Sequence, residues 1–251
     1  MSRRDDKPWL HPLTYGEAVL RCDWPRECGP RQLRGAVIAQ MARTLSGRDL
    51  EPWTNRDGVT GEVLQSEPEI LYRVHDAPSV FFVGPGTRDH LASLAYRLNE
   101  LSLPTGERIG VQGITTRVYD GEVRMLAAGG WARYRFRTPY WPCDGVDRRR
   151  PAEGQGWTDA WASQAIAASL ERWLSGRGIE PPAHRRVHVS VHGGTIRNLA
   201  WERPRRGVRV ERRGFGCEFV ANVLAPPGIG LGGKISEGLG EIDLVGVTGC
   251  R

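Results

Sequence analysis

Residues 226–240 read PPGIGLGGKISEGLG, with glycines at 228, 230, 232, 233, 238 and 240 around Lys234. Glycine at that density lets the main chain take positive φ and approach a ligand closely, so backbone N–H groups can face an anion. Two nucleotide motifs match locally and fail on context. Gly228, Gly230 and Gly233 satisfy GxGxxG, and Gly228, Gly233 and Lys234 begin GxxxxGK[ST]. Ile235 stands where a P-loop needs a hydroxyl for Mg²⁺, while Gly238 and Gly240 would break the helix a dinucleotide motif must open. A turn that binds nothing could use the same glycines.

Cations are the second chemical feature. The 251 residues carry 35 basic side chains against 29 acidic ones, a net charge of +6; only Lys7 and Lys234 are lysines, which leaves 33 arginines. A planar guanidinium suits phosphates and stacking on bases better than an ammonium does. A GC-rich coding sequence produces the same bias, so clustering has to decide. Arg21, Arg26, Arg31 and Arg34 gather where the first strand leads into the first helix. Arg133, Arg135 and Arg137 alternate with Tyr134 and Phe136, ahead of Tyr140 and Trp141. Arg148, Arg149 and Arg150, then Arg203, Arg205, Arg206, Arg209, Arg212 and Arg213, add further clusters. Basic residues interleaved with aromatics suit RNA, which is held by phosphate pairing and stacking. Strand alternation puts Arg133, Arg135 and Arg137 on one face, and such a face complements the phosphate-lined groove of an A-form stem.

The six histidines, His11, His75, His90, His184, His188 and His192, form no metal motif: His188 and His192 are four apart but lack a third ligand at metal spacing. His75, ahead of Asp76, is a candidate acid or base, or else an ordinary loop histidine. Five cysteines without a two-residue spacing exclude a zinc ribbon or a thioredoxin motif. With no long apolar run and no signal-like start, a reduced, cytoplasmic protein is expected, with no cofactor and no membrane partner.

The elements that position these residues are expected as follows. Residues 15–24 form a strand, 25–30 a loop, 31–45 a helix, 70–74 and 80–83 two strands, and 89–101 a helix capped by Thr87 or Asp89. Residues 109–118 and 122–127 flank Asp120-Gly121 as a hairpin. This is the ferredoxin-like order. After Gly129-Gly130 the pattern restarts with a strand at 131–137, a loop at 139–156 and a helix at 158–175 capped by Thr158 and stopped by Gly176. The tryptophans of that helix segment, Trp157, Trp161 and Trp173, are expected in the core. Strands follow at 186–191, 208–212, 218–224 and 241–247, with Gly214-Phe215-Gly216 separating the second and third. The expected fold is α+β with two tandem ferredoxin-like (RRM-like) domains, residues 1–129 and 130–251.

Gly228-Ile229-Gly230 and Gly238-Leu239-Gly240-Glu241-Ile242, with basic Lys234 between them and an apolar strand after them, resemble the C-terminal Gly-rich loop of the RAMP superfamily of CRISPR-associated proteins. Leu33-Arg34-Gly35 at the first helix fits the same superfamily, whose members are built on one or two ferredoxin-like domains. The resemblance implies a repeat-RNA-processing endoribonuclease that cleaves at the base of the repeat stem-loop without metal and stays on its product. In that reaction the 2′-hydroxyl attacks the adjacent phosphate, leaving a 2′,3′-cyclic phosphate and a 5′-hydroxyl. It needs a base, an acid and cations around the phosphorane. The histidine that the family usually carries near its first helix has no counterpart between Tyr15 and Leu45. An arginine-based site there would resemble the divergent nucleases of type IV CRISPR systems. The implied catalytic set is Arg21, Arg26, Arg31, Arg34 and His75. The implied RNA contacts are Arg133, Arg135, Arg137, Arg148, Arg149, Arg150, Arg205, Arg206, Arg212, Arg213, Gly228, Gly230, Lys234, Ser236, Gly238 and Gly240. The implied partners are the CRISPR repeat RNA stem-loop and other CRISPR effector subunits. The same fold could instead hold guide RNA as a non-catalytic subunit, or be a basic domain with no nucleic-acid role.

Overall fold

The computed structural model describes residues 9–56, 60, 69–141, 158–203, 208–233, 235 and 238–249, without the side chains of residues 196–213. The chain divides into two compact units, Pro12–Glu122 with Ser236–Gly238, and Met1–His11 with Val123–Ile235 and Leu239–Arg251.

In chain order the elements leading into and through the first unit are β1 (Trp9–Arg21), α1 (Pro30–Met41), α2 (Glu51–Thr54), β2 (Ile70–Arg73), β3 (Ser79–Val83), α3 (Thr87–Arg97), β4 (Glu100–Ser102), β5 (Arg108–Gly110) and β6 (Gly113–Met125). Its sheet runs β6-β1-β3-β2, with β3 antiparallel to both neighbours, from Tyr15↔Val83 to Val19↔Ser79 and from Ile70↔Phe82 to Arg73↔Ser79. Strand alternation turns Ala18, Leu20, Ile70, Tyr72, Val80 and Phe82 to one face. Leu33, Val37 and Met41, one helical turn apart, meet them from α1, and Leu91 and Leu94 meet them from α3. This βαββαβ unit has the expected ferredoxin-like order, with β4 and β5 forming a separate small ladder.

Several boundaries differ from expectation: α1 ends at Met41 rather than Leu45, and the strand expected over 109–118 is divided between β5 and β6. Strand β1 begins at Trp9 rather than Tyr15. Helix α3 runs from Thr87 to Arg97 and its N-cap is Gly86, which has no side chain to cap with, while the Thr87 hydroxyl donates to the Gly84 carbonyl at 2.8 Å; Leu101 instead belongs to β4. The Asp120-Gly121 hairpin is absent, since both residues lie inside the continuous strand β6. Cross-strand packing outweighs turn propensity there. Asp120 accepts hydrogen bonds from Thr14 at 3.1 Å and Arg88 at 2.7 Å, and the Tyr15 ring lies 2.9 Å from where a Gly121 Cβ would be.

The second unit contains β7 (Trp131–Phe136), α4 (Asp159–Ser175), β8 (Val189–Arg203), β9 (Val208–Ala221), β10 (Val223–Leu224) and β11 (Ile242–Thr248). Its sheet order, β11-β7-β9-β8, repeats that of the first unit, and β10 pairs with Arg124 and Met125 at the end of β6. Between β10 and β11, where a second helix would complete the same unit, the described residues form no α-helix. Thr158 caps α4 by accepting the Trp161 N–H at 3.2 Å, and Gly176 ends it. Trp173 is buried as expected and Trp161 half-buried, while Trp157 lies outside the described residues.

Strand β9 passes through Gly214-Phe215-Gly216 without a break, against expectation, and pairs with β8 from Val189↔Ala221 to Arg203↔Val208. The irregularity falls on the partner strand instead, between His192 and Thr195, where Gly193 takes φ +64° and the Phe215 ring fills the space of a Gly194 Cβ. Tyr134 stacks on Phe219 at 5.3 Å, and its hydroxyl accepts the Ala225 N–H at 2.7 Å and donates to the Val223 carbonyl at 3.1 Å. No helix among the described residues is long and apolar enough to cross a membrane. Tyr134→Phe leaves the buried Ala225 N–H without its acceptor and should cost about 1–3 kcal/mol in urea unfolding; an unchanged midpoint would contradict this role.

Candidate nucleic-acid interface

Helix α1 opens with Pro30 at its first position, where the missing N–H costs nothing. Gly29 is the N-cap, and its N–H donates to Gln32 Oε1 at 3.1 Å. No acidic residue occupies the first turn, so the partial positive charge of the helix start is not offset from within α1. Arg31 is exposed in that turn and Arg26 is exposed in the loop ahead of it, which also carries Asp23 and Glu27. Burial pushes the Cys22 and Cys28 thiols of this loop up, with Asp23 adding to the rise at Cys22 and Glu27 at Cys28.

Arg34, one turn further on, is half-buried and donates through Nη2 to the Thr54 carbonyl at 2.8 Å, at the end of α2. The Tyr72 hydroxyl donates to the adjacent Trp53 carbonyl at 3.2 Å. Burial holds the Tyr72 phenol well above its ordinary range, against the opposing pull of the Arg34 guanidinium. Arg34 therefore ties α1 to α2 as well as adding charge. The α2 segment is missing from the sequence reading; Pro52 after Glu51, a helix-start pattern, was the available signal.

The tip of the Gly-rich loop lies on this helix start. Gly238 has φ +85°, and a Cβ on it would come 2.5 Å from Pro30 Cγ and 3.4 Å from the Tyr72 carbonyl oxygen. Its contact puts it beside the turn that bears Arg31. Arg21 is exposed at the end of β1, and His75 is exposed in the turn joining β2 to β3.

The remaining glycines hold the loop's shape. Gly228 donates to Ile242 at 2.7 Å and Gly240 to Pro139 at 3.0 Å, while Gly230 forms a bridge with Glu241. All three are buried, and a Gly240 Cβ would sit 1.9 Å from the Leu231 carbonyl oxygen. Lys234 and Ser236 lie outside the described residues, as do Arg148, Arg149, Arg150, Arg205 and Arg206. Arg212 and Arg213 are on β9, with side chains outside the description.

On β7 the expected alternation holds. Arg133, Arg135 and Arg137 are exposed, and Arg133 and Arg135 pair at 3.5 Å with Glu218 and Asp243 on the neighbouring strands. Such exposed pairs contribute little stability but dilute the positive face. The interleaved aromatics are core residues, not stacking platforms: Tyr134, Phe136, Tyr140 and Trp141 are all buried, and the Tyr140 hydroxyl donates to the Ala165 carbonyl at 3.1 Å. His188 and His192 are exposed, and among the described residues no group of three or more His, Cys, Asp or Glu is placed to hold a metal.

No family model matches the sequence, and no curated protein matches it. Solved structures do match. A Cas6b crystal structure superposes with a TM-score of 0.67 over 94% of this chain and 100% of its own, at 16% identity. The chain has the Cas6 fold. A CRISPR RNA processing endoribonuclease Cas6b matches with a TM-score of 0.58 at 13% identity, over 94% of this chain and 100% of its own. Csf5, a type IV CRISPR–Cas Cas6 crRNA endonuclease, matches with a TM-score of 0.58 at 14% identity, over 93% and 99%. The Cas6 fold shared with these structures is the double ferredoxin-like α+β architecture. The Gly-rich loop and the Leu33-Arg34-Gly35 segment of α1 carry the RAMP-type resemblance in the sequence, and the contact of Gly238 with Pro30 appears only in the structure.

Arg34→Ala removes a charged donor from the Thr54 carbonyl and should destabilise the chain by about 1–3 kcal/mol. Arg31→Ala, at an exposed position, should stay within about 0.5 kcal/mol. Paired thermal melts check both, and equal melting temperatures for the two variants would contradict the structural role of Arg34.

Proposed function

We propose that this chain is a CRISPR precursor-RNA endoribonuclease that binds the repeat stem-loop and cleaves it by attack of the RNA's own 2′-hydroxyl. The observation that carries the reading is the seating of Gly238, the tip of the Gly-rich loop, on Pro30 at the start of α1, beside exposed Arg31 and half-buried Arg34. The comparisons support it: structures of the same fold are CRISPR RNA processing endoribonucleases, among them a type IV enzyme and a Cas6 product complex.

In the proposed reaction the 2′-oxygen bonds to phosphorus as the P–O5′ bond breaks, giving a 2′,3′-cyclic phosphate. The 2′ proton passes to a base, and the departing O5′ takes one from an acid. Arginine cannot serve as the base, because it does not deprotonate in proteins. Arg26, Arg31 and Arg34, with Arg21 nearby in sequence, instead act on the charge of the phosphorane and the leaving oxygen. His75 is the side chain assigned to proton transfer. Basic rows on β7 and the β8–β9 hairpin grip the stem, with Lys234 and Ser236 contributing from the loop. Cleavage proceeds without metal or cofactor, and the product stays bound. Two tandem domains, 1–129 and 130–251, carry this work in the cytoplasm alongside other CRISPR effector subunits.

One observation favours a second reading, a non-catalytic RNA-binding subunit. The α1 region carries no histidine, and Arg34 already donates to a backbone carbonyl.

Incubation with a repeat hairpin RNA in EDTA separates the two. The enzyme reading expects a cyclic-phosphate product, reduced about 10²-fold by Arg31→Ala. Tight, salt-sensitive binding of intact RNA would establish the subunit reading instead.

A further inference from the structure

The sheet of the first unit has a face turned away from α1 and α3, and it carries a stacked pair of tyrosines that the proposed cleavage does not use. Tyr15 on β1 and Tyr119 on β6 stack with ring centroids 5.2 Å apart and planes inclined by 22°. Tyr15 in turn leans on Phe81 of β3 at 6.0 Å, and the Arg73 guanidinium lies 4.0 Å over Phe81. The series runs from a buried floor at Phe81, through half-buried Tyr15, to Tyr119, which is 44% exposed.

The backbone is shaped for this stack. Gly121 leaves room for the Tyr15 ring, which would lie 2.9 Å from any Cβ there. Gly16 lets β1 close on β6, with the Arg117 carbonyl oxygen 2.6 Å from its Cβ position. Glu17 is engaged by Arg73 of this series at 3.2 Å and by the Ser79 hydroxyl at 2.8 Å. Period-two alternation puts Arg117 on the same face as Tyr119, about 7 Å along the strand, and Arg117 is exposed.

We propose that Tyr119, backed by Tyr15 and flanked by Arg117, is a platform for an unpaired base of single-stranded RNA. The ring takes the base and the guanidinium its phosphate. Paired bases hide their faces in the helical stack, so this site selects unpaired nucleotides next to a stem rather than the stem itself. An exposed ring beside a cation, on a strand that also presents polar Thr115, suits a nucleotide rather than an apolar protein surface. The inference rests on the RNA-binding reading above but uses none of its residues.

The test compares two RNAs on the full chain: a blunt GC hairpin and the same hairpin with a short single-stranded oligouridine tail. The wild-type chain should bind the tailed RNA more tightly. Tyr119→Ala should cost about tenfold or more on the tailed RNA and nothing on the blunt one. Arg117→Ala should act in the same direction, and Tyr119→Phe should restore binding. Thermal melting of each variant separates a lost platform from a lost fold. Tailed-RNA affinity unchanged by Tyr119→Ala overturns the platform while leaving hairpin binding intact, and an equal loss on both RNAs overturns it as a site for unpaired nucleotides. Failure of the wild-type chain to bind either RNA overturns the RNA reading and the platform with it.

Discussion

The contact between Gly238 and Pro30 is the constraint on which the candidate site depends. It exists because each partner is the residue it is. Any side chain at 238 would collide with the proline ring, and the positive φ there suits glycine alone at low cost. Proline at the first position of α1 gives the loop a rigid surface to rest on without sacrificing a helical hydrogen bond. Around the base of the loop, Gly240 lies so close to the Leu231 carbonyl that a methyl group would not fit, while the Gly228 N–H donates to the Ile242 carbonyl and the Ile242 N–H donates to the Ile229 carbonyl. The glycines thus divide their work: most allow the main chain to fold back on itself, and Gly238 allows it to touch α1.

Charge is distributed by a different logic. The arginines of β7 face outward because alternation sends Tyr134 and Phe136 inward, and two of them meet carboxylates on the flanking strands. Their net field is therefore weaker than the count of arginines suggests. At α1 no acid lies in the first helical turn, Arg26 and Arg31 are exposed, and Arg34 is held by a carbonyl, although Asp23 and Glu27 lie in the loop ahead.

Hydrophobic periodicity made the βαββαβ order and α4 readable, since Leu33, Val37 and Met41 or Ala162, Ile166 and Leu170 recur at helical spacing. Local turn chemistry misled at Asp120-Gly121 and at Gly214-Phe215-Gly216, where glycine serves packing rather than reversal. The Tyr15 and Phe215 rings that decide those positions come from strands distant in sequence, so no local rule could find them. The aromatic interleaving of residues 133–141 looked like a base-stacking pattern and is the ordinary two-sided strand, its rings filling the core. The repeated strand order of the two sheets emerged only in three dimensions. So did the strut from Arg34 to α2.

Under the proposed function, RNA is engaged at the start of α1 and the tip of the Gly-rich loop. Amide hydrogen–deuterium exchange of the full chain with and without a repeat hairpin RNA tests it most directly. RNA-dependent protection should concentrate in residues 26–34 and 238–240. Tight RNA binding with no change in exchange at those segments would contradict it.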